Sequence, residues 1–152
     1  MCTVKEVTGN ILDSPAEAIV NPVNCVGVMG KGLALQFKER YPSNFSYYQA
    51  VCNTGKLVPG KMLVYTERDV LTSKYVINFP TKRHWRDKSL LEDIDLGLNS
   101  LVKEVEKRGI KSIAIPPLGC GLGGLDYTVV KQVICKHFNH LEGLTLHLYQ
   151  PY

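Results

Sequence analysis

Short β-branched runs alternate with stretches of helical period from one end of the chain to the other, and that alternation admits few architectures. Val4 to Val7, Glu17 to Asn21, Lys61 to Thr66 and Lys74 to Phe79 read as strands, with a polar turn around Arg68-Asp69 between the last two. Ser112 to Ile115 is apolar enough to be buried on both faces, and Leu144 to Tyr149 closes the sheet. Lys31 to Tyr41 carries Leu33, Ala34 and Phe37 at helical spacing and ends at Pro42. Ser43 is placed to cap a second helix, with Phe45, Tyr48 and Cys52 on one face and Gly55 as its stop. Ser89-Leu90-Leu91-Glu92 has the form of a capping box. The helix it opens directs Leu91, Ile94, Leu98, Leu101, Val102 and Val105 inward and stops at Gly109. Asp126 caps a last helix with Val129, Val130, Val133, Ile134 and Phe138 on its core side. Six strands and four helices predict a three-layer α/β/α domain around a central, six-stranded mixed sheet that is largely parallel.

A length of 152 residues predicts one domain over 1–152. Its five cysteines are odd in number and widely spaced, with no C-x-x-C. Neither a disulfide framework nor a structural zinc is expected, and a reducing cytoplasm is the natural setting. The N-terminus lacks the basic-then-apolar pattern of a signal peptide, and no apolar run approaches the ~18 residues of a membrane span. The net charge is only +4, so its placement matters more than its size.

Ligands of α/β sheets bind where strands feed into helices, and three such loops stand out. Asn21 to Gly32 follows a strand and opens a helix; its glycines let backbone N–H groups converge on an anion at the helix start. The spacing fits neither a P-loop nor G-x-G-x-x-G, so alone it also reads as a plain connection. Pro116 to Leu125 packs four glycines into six residues, again between a buried strand and a capped helix. Two such loops in equivalent positions suggest two walls around one diphosphate. The third loop, Asn78 to Lys88, gathers Lys82, Arg83, His84, Arg86 and Lys88 around Trp85, the composition of phosphate contact and base stacking. Composition alone equally describes a solvated surface loop.

Asn21-Pro22-Val23-Asn24 through Gly32, Asn78 through Trp85, and Gly119-Cys120-Gly121-Leu122-Gly123-Gly124-Leu125-Asp126 together resemble a macrodomain, the α/β/α fold that binds ADP-ribose. Within that superfamily they resemble the branch of the DarG-type antitoxins, whose sister is the terminal ADP-ribose glycohydrolase of animals. The resemblance implies removal of ADP-ribose from thymidine in DNA. The sister enzymes act on ADP-ribosyl esters of Glu or Asp and on O-acetyl-ADP-ribose, and a non-catalytic ADP-ribose reader is a third reading. By the resemblance, Lys82 is the catalytic residue and Asn24 lies near the distal ribose. It further implies that Asn10, Ile11, Asn21, Val28, Gly30, Lys31, Gly32, Leu33, Gly119 to Leu125 (Cys120, Gly121, Leu122, Gly123 and Gly124 between them) and Tyr149 hold ADP-ribose. Gly123 stands where the animal enzyme has an acidic residue, so that enzyme's lysine-plus-aspartate mechanism does not transfer. Asn10 stands where many macrodomains read adenine with an Asp. Arg83, His84, Trp85 and Arg86 are expected to contact single-stranded DNA, and Arg83 and Arg86 to lower the pKa of Lys82 by repulsion. The expected partners are ADP-ribose, ADP-ribosylated DNA and a cognate ADP-ribosyltransferase toxin. No cofactor, metal or membrane is expected, and the chain is expected to be a monomer.

Several residues have plainer readings. Cys25 and Cys120 lie in the glycine loops without a histidine placed to activate them, and read as small buried side chains. His137 and His140 lack a nearby third ligand and read as surface residues. Asp126 reads as an N-cap. Tyr149 is open between packing on adenosine and packing in the core.

Overall fold

In the computed structural model of the chain, which describes residues 2–68 and 73–151, the strands are β1 (Thr3–Val7), β2 (Ala18–Val23), β3 (Leu63–Arg68), β4 (Ser73–Pro80), β5 (Ser112–Ile115) and β6 (Thr145–Tyr149). The helices are α1 (Gly32–Arg40), α2 (Pro42–Asn53), α3 (Leu91–Arg108) and α4 (Tyr127–Phe138), with single 3-10 turns at Ile11–Asp13 and Gly121–Gly123. The sheet runs in the order β1-β6-β5-β2-β4-β3. Every neighbouring pair is parallel except the edge pair β3–β4. The last strand therefore inserts between β1 and β5 rather than lying at an edge. Part of the turn expected around Arg68-Asp69 lies outside the described residues.

Period-2 alternation sends the strands' side chains to two cores. Ala18, Val20, Ile77, Phe79, Ile113, Ile115, Leu146 and Leu148 face Ile94, Leu98, Leu101, Val130 and Ile134 of α3 and α4. The intervening Ile19, Val76, Ala114 and Tyr149 face Phe37 of α1, and Tyr48 and Cys52 of α2 join Val23 and Met29 on that side. Helices thus cover both faces, and each fully buried aliphatic or aromatic side chain contributes roughly 1.5–3 kcal/mol. Gly97 lets α3 approach β4 closely, since a Cβ there would stand 2.4 Å from Phe79 Cζ.

Several local expectations are corrected. Leu90, not Ser89, is the N-cap of α3, and no side chain caps it. The Ser89 side chain instead packs beneath the second glycine loop, a tertiary contact that outweighs a local cap. Pro42 occupies the first turn of α2 behind Tyr41, so Ser43 caps nothing. Leu91 and Val129 are 37% and 40% exposed, because each lies just outside the buried arc of its helix. Among the described residues no helix is long and apolar enough to cross a membrane.

Candidate functional site

Because five of the six strands run the same way, the loops leaving β1, β2, β4 and β5 open on one end of the sheet. All three loops singled out in the sequence are there.

After β2 the chain turns on Asn24. Its Oδ1 accepts from the main-chain N–H groups of Val26 (3.0 Å) and Val28 (3.4 Å), and its Nδ2 donates to the Val28 carbonyl at 2.7 Å. From α2, the fully buried Tyr48 hydroxyl lies 2.8 Å from the Asn24 carbonyl oxygen and 2.7 Å from its Oδ1. Burial, reinforced by Cys52, pushes the Tyr48 phenol well above its ordinary value, so it remains a donor. The Asn24 carboxamide therefore organises its own loop, and one Nδ2 proton remains for a ligand.

Beneath lie three fully buried carboxamides. Asn21 Nδ2 donates to Asn78 Oδ1 at 3.2 Å, which also accepts from Asn44 Nδ2 at 3.1 Å. Asn78 Nδ2 returns to Asn44 Oδ1 at 2.8 Å and to the Leu63 carbonyl at 3.1 Å. Asn21, expected to contact ligand, points down at Asn78 and Met29, and its buried Oδ1 has no hydrogen-bond partner among the described residues. It supports the loop from below.

The 81–90 segment is laced to the first loop. Thr81 N–H donates to the Val23 carbonyl (2.8 Å) and Cys25 N–H to the Arg83 carbonyl (3.2 Å), which sets the main chain of half-buried Lys82 against the Asn24 loop, while Lys82 Nζ donates to the Trp85 carbonyl at 3.5 Å. Desolvation lowers the Lys82 pKa, the Lys88 charge lowers it further, and Asp87 opposes. The expected repulsion by Arg83 and Arg86 is corrected. Arg83 forks onto Asp93, with Nε 3.2 Å from Oδ2 and Nη2 3.3 Å from Oδ1. The Asp93 carboxylate is 4% exposed in the first turn of α3, where the helix dipole also favours it. Arg86 lies over the Trp85 ring at 4.7 Å, and the His84 ring is 5.1 Å from it on centroids. Trp85 itself is 47% exposed.

The second glycine loop faces the first. Gly119, Gly121 and Gly124 hold φ of 72°, 62° and 82°, which favours glycine at all three. Exposed Leu122 overhangs the start of α1, its Cδ1 3.9 Å from where a Gly32 Cβ would stand. No side chain caps α1 at Lys31, and among the described residues the N–H groups from Gly30 to Leu33 have no side-chain acceptor. Val28 is 41% exposed on the opposite lip.

At the end of β1, exposed Asn10 uses its Oδ1 to accept from Leu12 N–H at 3.0 Å. Ile11 and Tyr149 are buried in one cluster, so Tyr149 packs in the core. Asp126 accepts from Thr128 N–H at 2.9 Å and is an N-cap. Burial pushes the Cys25 thiol up to about 11 and raises that of Cys120, so both are protonated at neutral pH. His137 Nε2 lies 2.7 Å from Asp95 Oδ1, joining α4 to α3.

Sequence reasoning missed Tyr48, Asp93, Ser89 and the Asn44–Asn78 pair. An asparagine inside the apolar run Tyr75-Val76-Ile77-Asn78-Phe79 was the available signal for a buried polar contact.

The family model described as Macro domain matches residues 20–134. The chain is 46% identical over 145 residues to the DNA ADP-ribosyl glycohydrolase of Thermus aquaticus, covering 95% of this chain and 40% of that protein. It thus spans about two fifths of the length of the curated relative. The macrodomain of Mycobacterium tuberculosis DarG superposes with a TM-score of 0.97 at 44% identity, covering 100% of both chains. Thermosipho africanus DarTG in complex with ADP-ribose superposes with a TM-score of 0.91 at 36% identity, over 98% of this chain and 42% of that one. The chain belongs to the macro domain family, in its DarG-type branch.

Proposed function

We propose that this chain binds ADP-ribose and removes it from thymidine in DNA, with Lys82 as the catalytic residue. The observation that carries the reading is a lysine of lowered pKa held between the Asn24 loop and an exposed basic-aromatic segment. The similarity to the Thermus aquaticus glycohydrolase supports the reaction class. The similarity to an ADP-ribose complex supports the ligand.

In this reading the N–H groups of Gly30 to Leu33 hold the pyrophosphate together with those of Gly119, Gly121 and Leu122, since the N–H groups of Cys120, Gly123, Gly124 and Leu125 close turns within their own loop, and Asn10 and Ile11 flank the adenosine. The distal ribose meets the remaining Nδ2 proton of Asn24. The unprotonated Lys82 amine attacks the anomeric carbon, and the bond to thymine breaks. The electron pair and a proton leave with the base, and water then releases ADP-ribose from the lysine. His84, Trp85 and Arg86 take the single strand, while Arg83 is committed to Asp93 and braces the loop. A hydrolase of this modification requires an enzyme that installs it, so an ADP-ribosyltransferase is the expected partner. The domain spans 1–152 as a monomer and works in the cytoplasm.

The test compares ADP-ribose release from a thymidine-modified single-stranded oligonucleotide and from a protein carrying ADP-ribosyl-glutamate. Faster release from DNA is expected. Faster release from the protein ester would move the substrate class, and tight binding without release from either would make the chain a reader.

A further inference from the structure

We propose that Ser89 is the positioning residue on which the second glycine loop is seated, and that a small side chain at this position sets the shape of the pyrophosphate site. The inference rests on the reading that the 119–125 loop holds the pyrophosphate. Ser89 is 4% exposed, and its Oγ is buried with no hydrogen-bond partner among the described residues. A serine freed from a helix cap and buried with its hydroxyl unpaired calls for a tertiary reason.

The reason lies in the two glycines above it. A Cβ on Gly123 would stand 2.4 Å from Ser89 Oγ and 3.0 Å from its Cβ. A Cβ on Gly119 would stand 2.7 Å from Leu125 Cδ1, 3.0 Å from Ser89 Cβ and 3.3 Å from Oγ. The Ser89 side chain thus fills the volume that Gly123 leaves open and shares with Leu125 the volume beside Gly119. Its main-chain N–H also donates to the Gly123 carbonyl at 2.9 Å, closing the contact from the backbone side. Gly123 does not hold a positive φ, unlike Gly119, Gly121 and Gly124. Its need for glycine is therefore the contact with Ser89 rather than backbone conformation.

The pair makes a reciprocal test with free ADP-ribose, measured by titration calorimetry, alongside melting temperature and kcat and KM on the modified oligonucleotide. Ser89→Val adds carbon where none fits; an overpacking cost of this kind corresponds to binding weakened about 5- to 150-fold. Its KM should rise with kcat nearly unchanged, a split that general loss of fold would not give. Gly123→Ala should weaken binding similarly, and Gly123→Ala combined with Ser89→Gly should recover most of the loss. Failure of wild type to bind ADP-ribose would refute the underlying reading. Wild-type binding with Ser89→Val or Gly123→Ala equally tight, or a double variant no better than Gly123→Ala, would overturn the seat itself.

Discussion

Replacing Tyr48 with Phe removes one oxygen and tests whether the Asn24 loop is held from α2. The ring is fully buried and stays packed against Val23, Met29 and Leu57, so no large cavity opens. The Asn24 carbonyl oxygen loses its donor, while Oδ1 keeps the Val26 and Val28 N–H groups. Loss of a net hydrogen bond and the orphaning of a buried acceptor cost about 1–3 kcal/mol together. For a domain of this length that is roughly 3–9 °C in melting temperature. Burial keeps the Tyr48 phenol protonated throughout, so the cost should not vary with pH between about 6 and 9. Because Asn24 is placed at the distal ribose, turnover should fall about tenfold, the effect of a misplacement near 1 Å or less. The assay pairs differential scanning fluorimetry with ADP-ribose release from the thymidine-modified oligonucleotide. An unchanged melting temperature and unchanged turnover would refute the bracing role of Tyr48.

Three further outcomes follow from the site. Gly121→Glu places charge where the pyrophosphate would lie and forces a φ of 62° on an L residue, so ADP-ribose binding should be lost; Gly121→Asn, which tolerates that conformation, should bind more tightly than the Glu variant. Trp85→Ala should leave the Kd for free ADP-ribose unchanged and weaken the modified oligonucleotide by the ~1–3 kcal/mol of a base stack, read as a raised KM. The rate should rise with pH and level off below 10.5, the ordinary lysine value, because desolvation and Lys88 lower the Lys82 pKa. Lys88→Gln should shift that profile to higher pH. The sign for stability is the same: the fold disfavours charged Lys82, a penalty present below its folded pKa and lost as pH rises towards 10.5. A rate that falls with pH across this window would instead assign the charged lysine to stabilising the leaving thymine.

What the sequence made legible were the features carried by local pattern. Alternation placed the six strands within a few residues, glycine clusters marked the loops, and Asp126 announced its own cap. What escaped depends on partners far apart in the chain. Ser89 looks like a cap until Gly119 and Gly123, thirty or more residues on, claim its side chain. Arg83 looks like a free cation until α3 presents Asp93. Tyr48 reads as an apolar face residue, yet its hydroxyl crosses from α2 to the loop after β2. Polar residues buried by tertiary contact leave little local trace, and here they form most of the support under the site.

Lys82→Ala is the most direct test of the central claim that this lysine performs the cleavage. With the phosphate loops intact, the variant should bind free ADP-ribose within about threefold of wild type, while release from the thymidine-modified oligonucleotide falls about 100-fold or more, as expected for loss of a positioned catalytic group. Release at the wild-type rate, with binding retained, would contradict the account.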